Sequence, residues 1–356
     1  MISTLKCFVM TRKLTFSLGA IFGVITALVA TTSCSDEQIK EEGVGEATVM
    51  FEGLKVKLRE GHDAAELSMS QADYETVLYT TSKRLKSQND MNSYSFEVLD
   101  SLSRKVAKSY PHNDSVDYER IKAEFIGLSD RQINDNMGTI QRYYSMLMTY
   151  DLIKEVAKCE KGASPEKVDR LKSTYFGTDL NSKEFWVLAR NPFLIPAAKS
   201  AAKSAISYTD KHFAKYVKYQ DVADAFRHSL WNALLCKAAA PHKNQPSECM
   251  RFAKELSDAH EYGASKPTAL SEAMWTIDKG MDLHNNGIGR DYFATVASSY
   301  KPNWYSFRYV KCPSESTLAN DILSMYIPKA VKVASTAQID ASKAKLVYLK
   351  YCLSTF

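Results

Sequence analysis

Glycine and proline are scarce in this chain, with 14 glycines and 10 prolines among 356 residues. Sandwiches and barrels need turn residues about every 8–12 positions, so this scarcity disfavours them and favours long helices. Apolar residues make up 45% of the sequence and charged residues 24%, which is typical of a globular protein with a sizeable core. The composition excludes a wholly disordered chain, a collagen and a multi-pass membrane protein.

Several signatures of enzymes and metal proteins are also missing. The sequence contains no C-x-x-C pair, which excludes a zinc ribbon and a thioredoxin-type redox site, and no G-x-S-x-G nucleophile motif. His260-Glu261 does not begin an H-E-x-x-H metalloprotease motif, because position 264 is alanine. No basic block or stripe is present, so the sequence predicts no nucleic-acid partner.

A single long apolar run, from Leu14 to Ala30, follows the basic residues Lys6, Arg12 and Lys13. Small residues then precede Cys34, as in the lipobox of bacterial lipoproteins, although Thr31 stands where Leu or Val is usual. The pattern predicts that residues 1–33 are a signal peptide and that Cys34 is lipidated. The alternative is a transmembrane anchor, for which about 17 apolar residues are at the short limit.

Acidic residues dominate the stretch after Cys34, in which Asp36, Glu37, Glu41 and Glu42 fall within positions 34–46. This stretch resembles the acidic tether that directs Bacteroidetes lipoproteins to the cell surface. We therefore expect an outer-membrane lipoprotein of the cell envelope, held to the membrane by its lipid. Without the leader, 43 basic residues face 41 acidic ones, so the charge is nearly balanced.

Five further cysteines remain, and none of them forms a recognised motif. Cys236 and Cys249 flank a segment that is typical of an interhelical loop, and they are the best candidates for a disulfide. Two buried free cysteines are the alternative. The sequence leaves both open.

The chain is predicted to be mainly α, a multi-helix bundle with one short β-hairpin around Val49–Leu58. Helix caps are recognisable at Ser70, Ser129, Ser164 and Asn181. We expect a long helix from Ser129 to Val156, and a division into an N-terminal helical region, 47–160, and a C-terminal helical domain, 161–356.

The first chemically notable segment is Asp224-Ala-Phe-Arg-His-Ser-Leu-Trp-Asn-Ala233. At 100° per residue, one arc of about 140° holds its polar members together with a tryptophan. The tryptophan indicates that the arc is covered, so its polar groups must be hydrogen-bonded. These side chains are Asp224, Arg227, His228, Trp231 and Asn232.

The second and third segments are Ser257-Asp-Ala-His-Glu-Tyr-Gly263 and Met281-Asp-Leu-His-Asn-Asn-Gly-Ile-Gly-Arg290. In the second, His260 is in line with apolar positions and is expected to face the core, while Glu261 lies about 100° away. In the third, His284 points elsewhere, and one helical face is shared by Trp275, Asp278, Asp282, Asn285 and Asn286. Asn286-Gly287 is expected to end this helix in a left-handed cap.

Together, Asp-Ala-Phe-Arg-His-x-x-Trp-Asn, Ala-His-Glu and Met-Asp-x-x-Asn-Asn-x-x-Gly-Arg resemble a family of bacterial domains of unknown function. The family occurs in secreted proteins and lipoproteins, mainly of Bacteroidetes. The resemblance covers about residues 180–295 and implies a helical fold and a set of site residues, but no mechanism.

Two functions fit these residues. In the first, the polar cluster binds a ligand or partner, with Trp231, Asn232 and Asn286 in the binding surface. In the second, the domain is a hydrolase with the catalytic candidates His228, Asp224, Arg227, Glu261, Asn285 and Arg290. A metal-dependent form would hold an ion such as zinc through His228, His260 and Asp282.

Overall fold

The structure is a computed structural model that describes residues 47–82, 94–111, 118–159, 179–216, 219–302 and 308–349. The predicted signal peptide, Cys34, the acidic tether and the helix predicted to begin at Ser164 lie outside the described residues. So do Cys352 and the predicted domain boundary at 160–161.

Helices dominate the described residues, as predicted. Before residue 190 they are α1 Gln71–Thr81, α2 Phe96–Ala107, α3 Tyr118–Glu124, α4 Asp130–Asp135, α5 Met137–Lys158 and α6 Ser182–Ala189. After it they are α7 Ile195–His212, α8 Val222–Ala239, α9 Pro246–Gly263, α10 Glu272–Val296, α11 Glu315–Asp321 and α12 Thr336–Ala341.

The strands of the described residues are short and occur in pairs. They are β1 Thr48–Phe51, β2 Leu54–Lys57, β3 Tyr94–Ser95, β4 Asp179–Leu180, β5 Ser298–Tyr300, β6 Tyr309–Lys311, β7 Val331–Val333 and β8 Val347–Leu349. Strands β1 and β2 form the predicted antiparallel hairpin, with Val49 opposite Val56. Strands β3–β4 and β5–β6 are also antiparallel, whereas β7 and β8 pair in parallel.

Helix starts follow the predicted caps. The Ser70 and Ser129 side chains each accept a hydrogen bond from a backbone N–H in the first turn, and Asn181 does the same for α6. The predicted continuous helix from Ser129 to Val156 is wrong, because the helix is interrupted at Asn136, between α4 and α5. The Asn136 side chain donates to the Gln132 carbonyl at 2.8 Å, and this local bond competes with helix continuation.

Helix α8 is the centre of the C-terminal half. It packs against α7, α9 and α10, and also contacts β8 and the segment after α11. The main apolar core surrounds it and extends to Leu152, Ile153 and Val156 of α5. A second core lies beneath the β1–β2 hairpin, and a third joins α10 to α12, β7 and β8.

Cys236 and Cys249 are both buried and both free. The disulfide considered for this pair is therefore wrong, and the alternative of two buried thiols is confirmed. Burial raises the pKa of Cys249 to about 12, and it also raises the pKa of Cys236, so both remain thiols at neutral pH.

Among the described helices, none combines the length and the apolar character needed to cross a bilayer.

Candidate functional site

Helix α8 carries half of the candidate site. Its first turn is capped by Asp221, whose carboxylate accepts from the backbone N–H groups of Ala223 and Asp224 at 2.9 and 3.0 Å. Every residue from Ala223 to Cys236 is buried, so the helix is enclosed on all sides. The arc that was predicted to be covered is covered, and its polar side chains must find partners inside the protein.

His228 lies between carboxylates from two helices. Its Nε2 atom is 3.4 Å from Asp224 Oδ1 on α8 and 3.3 Å from Asp282 Oδ1 on α10. One donor atom from each of these three residues lies within 4.8 Å of the other two. Asp224 and His228 are almost fully buried, whereas the Asp282 side chain is 13% exposed, so the trio reaches solvent at Asp282.

The other ring nitrogen of His228 faces an amide oxygen. Asn286 Oδ1 is 3.3 Å from His228 Nδ1 and accepts from Asn232 Nδ2 at 2.6 Å. Because this oxygen only accepts, Nδ1 of His228 carries the hydrogen. In a neutral ring, Nε2 then presents its lone pair to the two carboxylates. That contact is repulsive unless a proton is held between the ring and a carboxyl group or a cation lies among the three groups.

A hydrogen-bonded chain holds Asn286 in place. Arg290 Nη1 donates to Asn232 Oδ1 at 2.7 Å and to Ser257 Oγ at 3.1 Å, and Asn232 in turn donates to Asn286. The Asn286 amide also donates to Glu261 Oε1 at 3.3 Å. These hydrogen bonds link α8, α9 and α10. They fix the position of Asn286 beside Nδ1 of His228, the ring nitrogen that points away from Asp224 and Asp282.

Negative charge exceeds positive charge in this cluster. Four carboxylates surround it, and the basic side chains against them are Arg227, which pairs with Asp224, and His228. If all four were ionised, at least two negative charges would remain even with a protonated histidine. The four carboxylates are Asp224, Glu261, Asp278 and Asp282.

The carboxyl groups respond differently to this environment. Burial works to raise the pKa of Asp224, but Arg227, His228 and the Gln220 backbone N–H together hold that pKa below its usual value. Burial raises the pKa of Asp278 to about 6, with a further contribution from the charge of Asp224. Burial, followed by the charges of Glu261, Asp224 and Asp278, raises the pKa of Asp282 well above its usual range. Asp282 is the group that most needs a neutralising partner.

His260 and Glu261 are placed the opposite way from the prediction. Glu261 is 4% exposed, and its Oε1 lies 3.6 Å from His228 Nδ1. His260 instead places Nδ1 2.8 Å from Glu184 Oε1 on α6, and its ring meets Trp231 edge-on. His260 is thus paired with Glu184, and the histidine and carboxylate donor atoms that lie within 4.8 Å of one another in the described residues are those of Asp224, His228 and Asp282.

Asn285 and His284 also face away from His228. The Asn285 amide exchanges two hydrogen bonds of 2.9 Å with the backbone of Val347 on β8, so this candidate ties α10 to the C-terminal strand. His284 Nε2 lies 2.8 Å from the Lys345 carbonyl oxygen. Trp231, a predicted binding residue, packs against His260.

The predicted helix end at Asn286-Gly287 is wrong, since α10 continues to Val296. Gly289 of this segment allows close helix packing, since a Cβ atom there would lie 1.9 Å from the carbonyl oxygen of Ser229. Because α8 and α10 approach this closely, Asp282 and Asn286 can reach His228.

Sequence reasoning did not count Asp278, Ser257, Tyr219 and Gln220 among the site residues. Asp278 is one turn before Asp282, and helical spacing had placed both on one face without assigning Asp278 a role. Its Oδ2 accepts from the Tyr219 hydroxyl at 3.3 Å. Gln220 has a positive φ of 60° and donates its backbone N–H to Asp224 Oδ2 at 2.6 Å. No local signal predicts that bond.

The comparisons with known proteins concern the helices that carry this cluster. No curated protein matches the chain, and no solved structure matches it. Residues 185–312, which contain Asp224, His228, Glu261, Asp282 and Arg290, match the family described as a domain of unknown function (DUF6973).

Proposed function

We propose that the domain binds a divalent metal ion, for which zinc is the best fit, between Asp224, His228 and Asp282. The observation that carries this proposal is the position of His228 Nε2, which lies 3.3–3.4 Å from one oxygen of each carboxylate. Zinc bonds of about 2.0–2.2 Å at tetrahedral angles place neighbouring donor atoms about 3.3–3.6 Å apart. The distances from His228 Nε2 to Asp224 Oδ1 and Asp282 Oδ1 therefore match those between neighbouring ligands of a four-coordinate ion.

The groups around His228 also favour a bound metal ion. Ligating histidines usually donate their second ring N–H to a carbonyl or carboxylate oxygen, and here Asn286 Oδ1 takes that role. The excess of buried carboxylates over basic groups gives a divalent cation a favourable electrostatic environment. Asp282, whose pKa is raised most strongly, is the ligand whose charge the ion would stabilise most.

Metal-dependent hydrolysis is the second candidate. Three protein ligands leave one tetrahedral position open, as in catalytic zinc sites, whereas structural sites use four. Zinc would supply Lewis acidity and an activated water. In the chain itself, Arg227 would neutralise developing anionic charge, and Glu261, with Oε1 3.6 Å from His228 Nδ1, would orient the histidine. The small exposure of Asp282 favours ion binding over hydrolysis of a bulky substrate.

The metal proposal is tested by elemental analysis and by thermal melts with zinc or calcium. We expect purified protein to retain close to one equivalent of zinc and its melting temperature to rise on zinc addition. Asp282→Asn and His228→Ala should lose this rise, and His284→Ala, on the other side of α10, should keep it. Cobalt(II) substitution should give the visible absorption of a tetrahedral ion in wild type and His284→Ala, but in neither cluster variant. An equal zinc response in wild type and both cluster variants would contradict the proposal.

We also propose that the chain is a lipoprotein of the bacterial outer membrane, anchored through Cys34. The support is the sequence: a basic start, the apolar run from Leu14 to Ala30, small residues before Cys34 and acidic residues after it. The mass of membrane-extracted protein should lack residues 1–33 and include acyl chains, and Cys34→Ser should release the protein from the membrane. An unprocessed chain, or cleavage at another position, would contradict this proposal.

A further inference from the structure

A cavity of about 180 Å³ lies on a different part of the molecule, between the start of α5 and the turn that joins α8 to α9. Its lining includes the apolar side chains of Pro111, Ile140, Phe193 and Leu194. The same lining carries the basic side chains of Lys243 and Arg251. Cavities of about 150 Å³ with apolar linings hold benzene, so this one has room for a six-carbon body.

Within the described residues, Lys243 and Arg251 have no acidic partner of their own. In the described part of the chain, no carboxylate oxygen lies within 4 Å of the side-chain nitrogens of Lys243 or Arg251. Arg142, a third basic residue of the lining, is bound by Glu52. The Glu248 carboxylate is the acidic group of the lining, and its Oε2 accepts from the Asn244 and Gln245 backbone N–H groups at 2.9 and 3.1 Å.

Lys243 is partly buried and forms no ion pair within the described residues. Lysine is rarely buried unless it is paired. Burial lowers the pKa of Lys243, while the nearby charge of Glu248 acts to raise it and that of Arg251 acts to lower it. An anion in the cavity would replace the water that the ammonium group has lost.

The cavity shares its basic residues with a second groove. Asn191, Lys243, Glu248 and Arg251 also border this groove of about 410 Å³, which reaches Arg190 and Glu255. A ligand can therefore place its charged end at the shared basic residues and its apolar end against Ile140 and Leu194.

We propose that this cavity binds a small carboxylate with a compact apolar body, of the size of benzoate, with its carboxylate at Lys243 and Arg251. The net charge of the lining favours a monoanion, since Arg142 is already neutralised and Glu248 offsets one of the two remaining basic groups. The site is separate from the Asp224–His228–Asp282 cluster and does not depend on its metal.

The test is a calorimetric or ligand-observed NMR titration of the full mature protein with benzoate and with benzamide, its neutral analogue. We expect benzoate to bind in the millimolar range and benzamide to bind at least about tenfold more weakly, because a charge-assisted hydrogen bond is lost. Lys243→Met should weaken benzoate binding by a similar factor. Lys254→Met, an exposed lysine of α9 outside the lining, should leave it unchanged.

A second variant tests the location without altering charge. A Cβ atom on Gly138 would lie 3.7 Å from Arg142 and 3.8 Å from Asn244, two lining residues, so a side chain fits there and extends toward the cavity. Gly138→Leu should abolish benzoate binding, and Gly138→Ala should largely preserve it. Equal affinity for benzoate and benzamide, or benzoate binding that Lys243→Met and Gly138→Leu both leave intact, would overturn the proposal. So would the absence of benzoate binding to wild type.

Discussion

Gly289 of α10 lies directly against the backbone of Ser229 on α8, so closely that a Cβ atom would be 1.9 Å from the Ser229 carbonyl oxygen. This contact sets the distance between the two helices that supply Asp224, His228 and Asp282. The neighbouring Gly287 has no such restriction, because the nearest atom to its Cβ position is a side-chain nitrogen of Arg290 at 3.8 Å.

Gly289→Ala should therefore destabilise the protein by about 1–3 kcal/mol, the usual effect of overpacking a buried contact. Gly287→Ala is the matched control and should be neutral or stabilising by up to about 1 kcal/mol, because alanine has the higher helix propensity. Urea unfolding of both variants measures the difference. Equal stabilities would contradict the close approach of α8 and α10.

Local sequence signals predicted the parts of the fold that depend on neighbouring residues. The caps at Ser70, Ser129 and Asn181 and the β1–β2 hairpin follow from residues within a few positions of one another. The predicted helix end at Asn286-Gly287 is wrong because a single sequence does not distinguish a glycine that ends a helix from one that lies at a helix contact. Only the distant Ser229 distinguishes them.

Helical spacing also predicted part of the candidate site, namely which side chains of one helix lie together. Helical spacing placed His228 with Asp224 on one covered arc and Asp282 with Asn286 on another face. It favoured His260 over Glu261 as the residue facing the core, but helical spacing alone does not determine how α9 is rotated about its axis. Glu184, far away in the sequence, binds His260 and determines that rotation.

Removing the charge of Asp282 should stabilise the metal-free protein. The carboxylate is buried near Glu261, Asp224 and Asp278, which raises its pKa, so its ionised form is costly at neutral pH. We expect Asp282→Asn to raise the free energy of unfolding by about 1–2 kcal/mol at pH 7.5 in the presence of a chelator. Asp291→Asn, an exposed position on α10, should change it by less than about 0.5 kcal/mol. A clear loss of stability in Asp282→Asn would show that the carboxylate is needed without metal.

The stability of the protein should depend on the hydrogen-bonded side chains that hold Asn286 beside His228. Asn232→Ala removes the acceptor for Arg290 and the donor to Asn286, and leaves both groups buried. We expect a loss of about 2–4 kcal/mol, since a buried guanidinium loses a partner. Ser257→Ala removes the longer bond from Arg290 and a local bond to the Lys254 carbonyl oxygen, and should cost about 1 kcal/mol. Equal losses for the two variants, measured by denaturant unfolding, would contradict the central position of Asn232.

The ion pair between His260 and Glu184 should make stability fall at alkaline pH. Burial acts to lower the pKa of His260, but the charge and hydrogen bond of Glu184 outweigh it and raise that pKa to about 9. Because this value is above the unfolded value of about 6.5, the stabilisation is complete below about pH 6.5 and is lost as the pH rises through about 9. We expect wild type to lose about 1–3 kcal/mol between pH 6.5 and 9.5, and His260→Gln to lose much less over the same range. His284→Gln is the control and should follow wild type. If the free energy of unfolding fell equally with pH in wild type and His260→Gln across this range, the ion pair would be refuted.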